Sequence, residues 1–204
     1  MIKVHEYLEK NIDVAKEKML YELETSEKDI LIKESEETTG GLFKSKKSKI
    51  EVILKDDIIE YSKQLIIDIA EKMGLEIKIE AKKRDDFIKL NLISNNNAIL
   101  IGKNGKTLDS LQTILRSSIQ NHTGFKVNII IDIEDYREKQ QRNIERNIKN
   151  IAYEVKNTGV PVTLDPMNSY ERRNVHNICG NIPGITTESI GEEPERYIVI
   201  KRKE

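Results

Sequence analysis

The sequence predicts an α+β protein made of three small modules, at residues 1–55, 56–133 and 134–204. A chain of 204 residues is longer than one small domain usually needs. Although 34% of the residues are charged, apolar residues recur with helical or strand periodicity almost to the last position. No internal repeat and no long linker interrupts this pattern. Several small cores are therefore expected instead of one large core.

The first module is predicted to be a small α/β unit. A loosely helical pattern spans residues 14–23, and strand-like stretches follow at 29–33 and 49–54. A turn-forming segment with two glycines, Gly40 and Gly41, separates the two strands. The basic run beside that turn is interpreted as a solvated loop edge. It consists of Lys44, Lys46, Lys47 and Lys49.

The second module has a distinctive order of predicted elements. An amphipathic helix begins near Asp57 and is stopped by Gly74. Two strands, a short helix, a glycine-containing loop, a second helix and a last strand follow. Their predicted bounds are 75–81, 87–93, 98–101, 102–105, 106–120 and 125–133. The order is helix, strand, strand, helix, loop, helix, strand.

The third module is predicted to begin with a long helix. Residues 134–157 are highly charged, and a narrow stripe of apolar residues runs through them at helical spacing. A short strand at 160–164, a helix at 169–178 and two strands at 185–190 and 196–201 complete the module. Asn168 and Glu171 have the spacing of a capping box at the start of the second helix.

Composition limits the partners and the cellular compartment. A net charge of −1 argues against coating nucleic acid by bulk electrostatics, so any binding must use local patches. The single cysteine, Cys179, excludes an intrachain disulfide and a cysteine-rich zinc site, and it fits a reducing cytosol. Neither a signal peptide nor a run of about 20 apolar residues is present. A soluble, cytoplasmic protein is expected, and docking on a membrane protein stays open.

The loop of the second module has the composition of a phosphate clamp. Gly102, Lys103, Asn104 and Gly105 join two helices, and Lys106 opens the second helix. Glycines lack Cβ, so backbone N–H groups can approach a phosphate closely, and a helix N-terminus favours an anion. A nucleotide-binding P-loop is rejected because Leu100 stands where its first glycine is required. The remaining alternative is a plain helix-turn-helix corner, and the order of the flanking elements favours binding.

A second basic site lies on the predicted helix of the third module. Arg172 and His176 are four residues apart and so share one helical face, with Arg173 beside them. Arginine donates in a fixed fork to phosphate, and histidine offers a flat ring and a hydrogen bond. An isolated pair of this spacing is usually an ordinary exposed pair.

Residues 57–133 resemble a KH domain of the prokaryotic topology, which implies an apolar groove for about four nucleotides. Residues 166–176, 187–194 and 132–137 look like the C-terminal part of the bacterial Jag family, also called KhpB or EloR. The resemblance covers the whole chain: a Jag N-terminal domain, a KH domain and a domain named for its R-x-x-x-H motif. The N-terminal match depends mainly on residues 41–47. The chain departs from many relatives because it lacks a long linker between the first two modules.

The resemblance implies a regulator that binds single-stranded RNA, with no cofactor and no metal. Its implied RNA contacts are Gly102, Lys103, Asn104, Gly105, Lys106, Arg172, Arg173 and His176. The family also implies a small KH-only protein partner, a role in cell elongation, division and envelope control, and association with a membrane insertase. The alternative is a protein-interaction scaffold that docks on an insertase or a division complex and has little direct role with RNA.

Catalysis is not expected from the sequence. The three histidines are scattered, and no pair has metal-ligand spacing. Cys179 follows His176 by three residues, but no acid that could orient a Cys/His pair is identifiable. Glu192 and Glu193 are adjacent, so on an extended strand they would face opposite sides. A turn-forming and charge-pairing role is expected for them.

Overall fold

The computed structural model of the chain describes residues 2–39 and 45–203. Within these ranges the chain forms six α-helices and three three-stranded sheets, which confirms the α+β class. It divides into two compact units, Met1–Asp135 and Tyr136–Glu204. Residues 40–44 lie outside the described residues, and they include most of the loop that carries the N-terminal resemblance. None of the described helices is long and apolar enough to cross a membrane.

The first module is an antiparallel sheet covered by one helix. Its elements are β1 (His5–Glu9), α1 (Ile12–Glu22), β2 (Ile30–Thr39) and β3 (Ser45–Leu54), with strand order β1-β3-β2. Helix α1 begins after Asn11, whose side-chain oxygen accepts hydrogen bonds from the amides of Asp13 and Val14. Six buried residues form the core of this module: Tyr7, Ala15, Met19, Ile30, Ile50 and Val52.

The strands of the first module differ from the prediction. Strand β1 was not predicted, and β2 and β3 extend well beyond the apolar stretches because polar residues also pair, as Glu36 does with Ser48. The basic run was assigned to a loop edge, which is wrong for Lys46 and Lys47, since both lie in β3 together with Lys49, where the predicted strand began. Lys49 lies 3.2 Å from carboxylate oxygens of both Glu6 and Glu51. The pair with Glu6 of β1 runs between strands and the pair with Glu51 lies within β3, so ion pairs contribute to a strand that has few apolar residues at this end.

The second module has the predicted element order. It comprises α2 (Lys55–Lys72), β4 (Ile77–Lys83), β5 (Ile88–Ser94), α3 (Asn97–Ile101), α4 (Lys106–Thr123) and β6 (Ile129–Ile133). Strand β4 is antiparallel to β5, and β5 is parallel to β6. Parallel neighbours need a crossover of about a dozen residues or more, and α3 and α4 provide it. The last strand is shorter than predicted, since it begins at Ile129.

The core of the second module is built from one face of α4 and from the strands. Leu108, Leu111, Leu115 and Ile119 recur at helical spacing and are all buried. Alternate residues of β5, at Ile88, Leu90 and Leu92, are buried as well. This packing fixes the position of α4, and with it the position of the loop that precedes α4.

The first two modules follow each other without any linker, and a buried polar contact at their boundary ties the start of α2 to the turn between β4 and β5. Strand β3 ends at Leu54, and α2 begins at the next residue, Lys55. Lys55 is only 4% exposed, and its ammonium donates to the backbone carbonyls of Arg84 and Asp85 at 3.2 and 3.1 Å. A buried ammonium is tolerated only when such acceptors are present. Lys83 adds ion pairs to Asp29 of the first module, at 3.0 Å, and to Asp56, at 2.8 Å.

The C-terminal unit is a second α+β structure. Its elements are α5 (Tyr136–Thr158), β7 (Val162–Thr163), α6 (Ser169–Gly180), β8 (Ile185–Ile190) and β9 (Tyr197–Arg202), with strand order β7-β9-β8. The capping box predicted at Asn168 and Glu171 is present. The core contains ten buried residues: Ile148, Ala152, Val155, Val175, Ile178, Cys179, Ile182, Ile185, Ile198 and Ile200.

Replacing Lys55 by alanine should destabilise the first compact unit. The substitution leaves two partly buried carbonyls without their donor, and we expect the free energy of unfolding to fall by about 1–3 kcal/mol. Chemical denaturation measures this free energy of unfolding. The control is Lys82→Ala, which removes an exposed lysine of β4 and should change stability by about 0.5 kcal/mol or less. Equal losses in the two variants would contradict a structural role for Lys55.

Candidate nucleic-acid interface

The loop between α3 and α4 starts at a position that only glycine can occupy. Gly102 has φ 70° and ψ −176°, a backbone conformation that is essentially restricted to glycine. A Cβ atom at this position would lie 2.1 Å from Thr107 Oγ1 and 3.0 Å from the Thr107 backbone nitrogen. The close approach of Thr107 therefore excludes any side chain at residue 102.

The rest of the loop turns the chain tightly into α4. Asn104 (φ 55°, ψ 27°) and Gly105 (φ 83°, ψ 5°) are both left-handed, and the Gly105 amide donates to the Gly102 carbonyl at 3.3 Å. Helix α4 then begins directly at Lys106 and runs for 18 residues. An anion bound at this turn would lie at the positive end of the helix dipole.

The side chains of the loop are accessible to a ligand. Lys103, Asn104 and Lys106 are exposed, Gly102 is half-buried and Gly105 is buried. The structure therefore brings together two ammonium groups, one amide side chain and the backbone of a glycine turn. These groups can hold a phosphate by hydrogen bonds and by charge.

The outer edge of β6 is covered by two side chains of α4 that the sequence analysis missed. Arg116 donates from Nε and Nη2 to the Ile129 carbonyl at 3.0 and 2.8 Å, and Gln112 accepts from the Ile131 amide at 3.0 Å. Edge strands present unpaired backbone groups, and these contacts satisfy two of them. A base could pair with these backbone groups only if Gln112 and Arg116 moved. In the sequence, this contact is indicated only by the spacing of Gln112 and Arg116, two polar residues four positions apart beside the buried face of α4.

Arg172 is buried, and its guanidinium is used inside the C-terminal unit. The residue is 7% exposed, Nη1 donates to the Met167 carbonyl at 2.7 Å, and Nη2 donates to the Glu193 carboxylate at 2.8 Å. Glu193 itself is exposed, in the turn between β8 and β9. Arg172 therefore ties the start of α6 to that turn. The charge-pairing role predicted for this segment is present at Glu193.

The other two predicted residues of α6 are more accessible than Arg172. Arg173 is exposed, and His176 is half-buried, with Nδ1 hydrogen-bonded to Thr187 Oγ1 of β8. Tyr170, three residues before Arg173, is 76% exposed and was not singled out from the sequence. The shared helical face predicted for Arg172 and His176 is thus largely engaged in contacts within the unit. Its accessible polar surface lies at Arg173 and at part of His176.

Family models match both the second module, which carries the glycine loop, and the C-terminal unit, which carries Arg172 and His176. Residues 56–131 match the family model described as the KH domain of KhpA/KhpB, and residues 142–202 match the family model of the R-x-x-x-H domain. The RNA-binding protein KhpB of Clostridium symbiosum is 35% identical over 200 residues, which cover 95% of this chain and 89% of that protein. The chain belongs to the KhpB family.

Two further KhpB proteins extend the comparison. RNA-binding protein KhpB of Bacillus subtilis is 27% identical over 95% of this chain and 96% of its own length. The KhpB of Lactiplantibacillus plantarum is 31% identical over 135 residues, which are 66% of this chain and 42% of that protein. The resemblance to the Jag family, another name for KhpB, is therefore confirmed. The KH model covers the loop at residues 102–105, and the R-x-x-x-H model covers Arg172, Arg173 and His176.

Cys179, which lies in the R-x-x-x-H domain of this KhpB-family chain, is part of the core of that domain. It is 1% exposed, and burial raises the pKa of its thiol to about 11. Because the thiolate is the reactive form, such a cysteine is a poor nucleophile near neutral pH. Within the part of the chain that the structure describes, no three His, Cys, Asp or Glu side chains lie together as a metal site.

Alanine at Gly102 should cost more stability than alanine at a glycine with open surroundings. Gly74 also has a positive φ, of 75°, but a Cβ there would meet nothing within 4 Å. Gly74→Ala should therefore carry only backbone strain of about 1–3 kcal/mol. Gly102→Ala adds the overlap with Thr107, at a further cost of about 1–3 kcal/mol. Thermal or chemical denaturation of both variants tests this, and equal losses would contradict the steric argument.

Arg172 and Arg173 should respond differently to alanine substitution in a stability measurement. Arg172→Ala removes two partly buried hydrogen bonds and should lower the free energy of unfolding by about 1–3 kcal/mol. Arg173→Ala should change it by about 0.5 kcal/mol or less, since Arg173 is exposed. Hydrogen-exchange protection in α6 gives a local readout. Similar small effects for both variants would show that the buried contacts of Arg172 do not hold in solution.

Proposed function

We propose that the chain binds single-stranded RNA and that residues 102–105 hold the RNA backbone. The observation that carries this proposal is the left-handed turn, which excludes side chains at Gly102 and leaves Lys103, Asn104 and Lys106 exposed. The KH model over residues 56–131 and the relatives named RNA-binding protein KhpB support the same ligand.

The proposed contact is electrostatic and directed at phosphate. Lys103 and Lys106 supply charge, Asn104 supplies amide donors, and the start of α4 supplies the positive end of a helix dipole. Contacts with phosphate fix the register of a strand but carry no base information. Base preference must therefore come from the surface beside the loop, where Gln112 and Arg116 lie against the edge of β6.

In the C-terminal unit, Arg173 and His176 are the proposed contacts of the R-x-x-x-H domain with RNA. Arg173 has an exposed guanidinium, which can bond to phosphate or stack on a base. His176 is partly accessible. Arg172 is proposed to position this surface, because its bonds to the Met167 carbonyl and to Glu193 hold the elements on either side of it.

At the level of the cell, we propose a regulator of elongation, division and envelope processes that acts with a small KH-only protein partner. The family membership supports this role, and the matching KH model is described for KhpA as well as KhpB. The proposed location is the cytoplasm, with peripheral attachment to an insertase or a division complex through the N-terminal domain. Because Lys83 of the KH domain forms an ion pair with Asp29 of the N-terminal domain and no linker separates the two domains, a partner bound to one would also restrain the other.

The test is a double substitution in the loop, Lys103→Asp with Asn104→Asp. One charge-assisted contact is worth about 1.5–3 kcal/mol, so affinity for RNA should fall about 10- to 100-fold while the thermal unfolding curve stays close to wild type. Fluorescence anisotropy with a labelled pool of single-stranded RNA of random sequence measures the affinity.

The matched control is Lys72→Asp with Asn121→Asp. Both residues are exposed, Asn121 lies at the opposite end of α4, and the change in charge is the same. The control should keep most of the affinity. Unchanged RNA binding by the loop variant would sink the assignment. Crosslinking in cells adds a second criterion, because recovery of proteins without RNA would favour the scaffold alternative.

A further inference from the structure

The two ends of the sheet of the C-terminal unit differ in their charged residues. Pairing of Ile185 with Arg202 and of Val162 with Ile200 places the starts of β7 and β8 beside the end of β9. Helix α5 also ends here, since it turns at Gly159 towards β7. Four cationic residues lie at this end, which we call the basic end: Lys156, Lys201, Arg202 and Lys203.

The first arginine of the R-x-x-x-H motif lies towards the other end of the same sheet. Strand β8 ends at Ile190 and β9 begins at Tyr197, and the turn between them contains three glutamates and one arginine: Glu192, Glu193, Glu195 and Arg196. Arg172 is tied to this acidic turn through Glu193. The glutamates of the turn outnumber Arg196, so a polyanion would be attracted more strongly to the basic end than to the turn.

The basic end is an open depression bordered by glycine turns. Arg202 Nη1 lies 3.7 Å from where a Cβ of Gly159 would be, and Lys156 Cε lies 3.8 Å from the corresponding point at Gly184. The Lys203 amide donates to the Gly184 carbonyl at 2.8 Å, which fixes the end of β9 against the start of β8. Because Gly159 and Gly184 lack side chains, Arg202 and Lys156 lie beside the backbone at these two positions.

We propose that Lys156, Arg202 and Lys203 bind the phosphate groups of single-stranded RNA. This inference rests on the proposed function, and it adds a contact site that lies apart from the R-x-x-x-H motif within the same unit. Arg202 can bond to a phosphate in bidentate fashion, and the two lysines act as compact charges. Lys201 is left out because it forms an ion pair with Glu188. A site of this composition recognises the backbone and not the bases, so its contribution is independent of sequence.

The experiment measures the salt dependence of RNA binding by the full chain with Lys156→Gln, Arg202→Gln and Lys203→Gln combined. Each phosphate contact of a single strand contributes about −0.7 to the slope of log affinity against log salt, so losing three contacts should flatten the slope by about 2. The ligand is a fluorescein-labelled pool of single-stranded RNA of random sequence. Affinity at low salt should fall at least about tenfold.

Two matched variants control for net charge and for folding. Lys139→Gln, Arg142→Gln and Arg146→Gln remove the same charge from the first half of α5 and should leave the slope close to wild type. A charge-retaining variant, Lys156→Arg with Arg202→Lys and Lys203→Arg, should bind nearly as well as wild type. If the glutamine triple does not fold by circular dichroism, the three single glutamine substitutions replace it.

The outcomes separate this inference from the proposed function. A wild-type slope in the glutamine variants, alongside weakened binding by the Lys103/Asn104 variant, overturns the basic end as an RNA site and leaves the loop assignment standing. That result would favour an acidic protein as the partner of this surface. Equal losses in the α5 control also overturn the inference, because they indicate bulk attraction. If RNA binding is unchanged both in the glutamine variants and in the Lys103/Asn104 variant, the proposed function itself is contradicted.

Discussion

The arrangement of the KH domain depends on one steric constraint, the contact between Gly102 and Thr107. With no Cβ at residue 102, the first turn of α4 can pack directly against the end of α3. That contact allows a turn of four residues, 102–105, to join two helices whose crossover makes β5 and β6 parallel. Lys103 and Asn104 of the same turn are exposed. The turn that connects the two helices therefore also presents the side chains proposed to meet RNA.

Much of this architecture could be predicted from local patterns. The helices and strands of the KH domain follow apolar periodicity, and the capping box at Asn168 follows from residue types alone. Strand β1 could not be found in this way, because Tyr7 is its only buried residue. The polar halves of β2 and β3 were missed for a similar reason, since their pairing depends on cross-strand contacts.

The candidate sites show the same division between local and tertiary information. The glycine loop was predictable because its backbone needs positive φ angles, and glycine adopts these without steric cost. The spacing of Arg172 and His176 indicates that they share a helical face but not whether that face is buried. Glu193, which accepts a hydrogen bond from the buried Arg172, is 21 residues away. The cover of β6 by Gln112 and Arg116 and the charge difference between the two ends of the C-terminal sheet arise only when strands are paired. A chain with net charge −1 can thus present separate basic surfaces. Two weak contacts with one RNA strand would reinforce each other, because binding at the first site raises the effective concentration at the second.

The most direct measurement is a titration of the ¹⁵N-labelled full chain with single-stranded RNA, followed by two-dimensional NMR of the backbone amides. The central claim is that the turn at residues 102–105 holds the RNA backbone next to the start of α4. It predicts saturable shifts of the amide resonances of Lys103, Asn104, Gly105 and Lys106 that weaken as salt is raised. Saturable binding with no change at these four amides would contradict it.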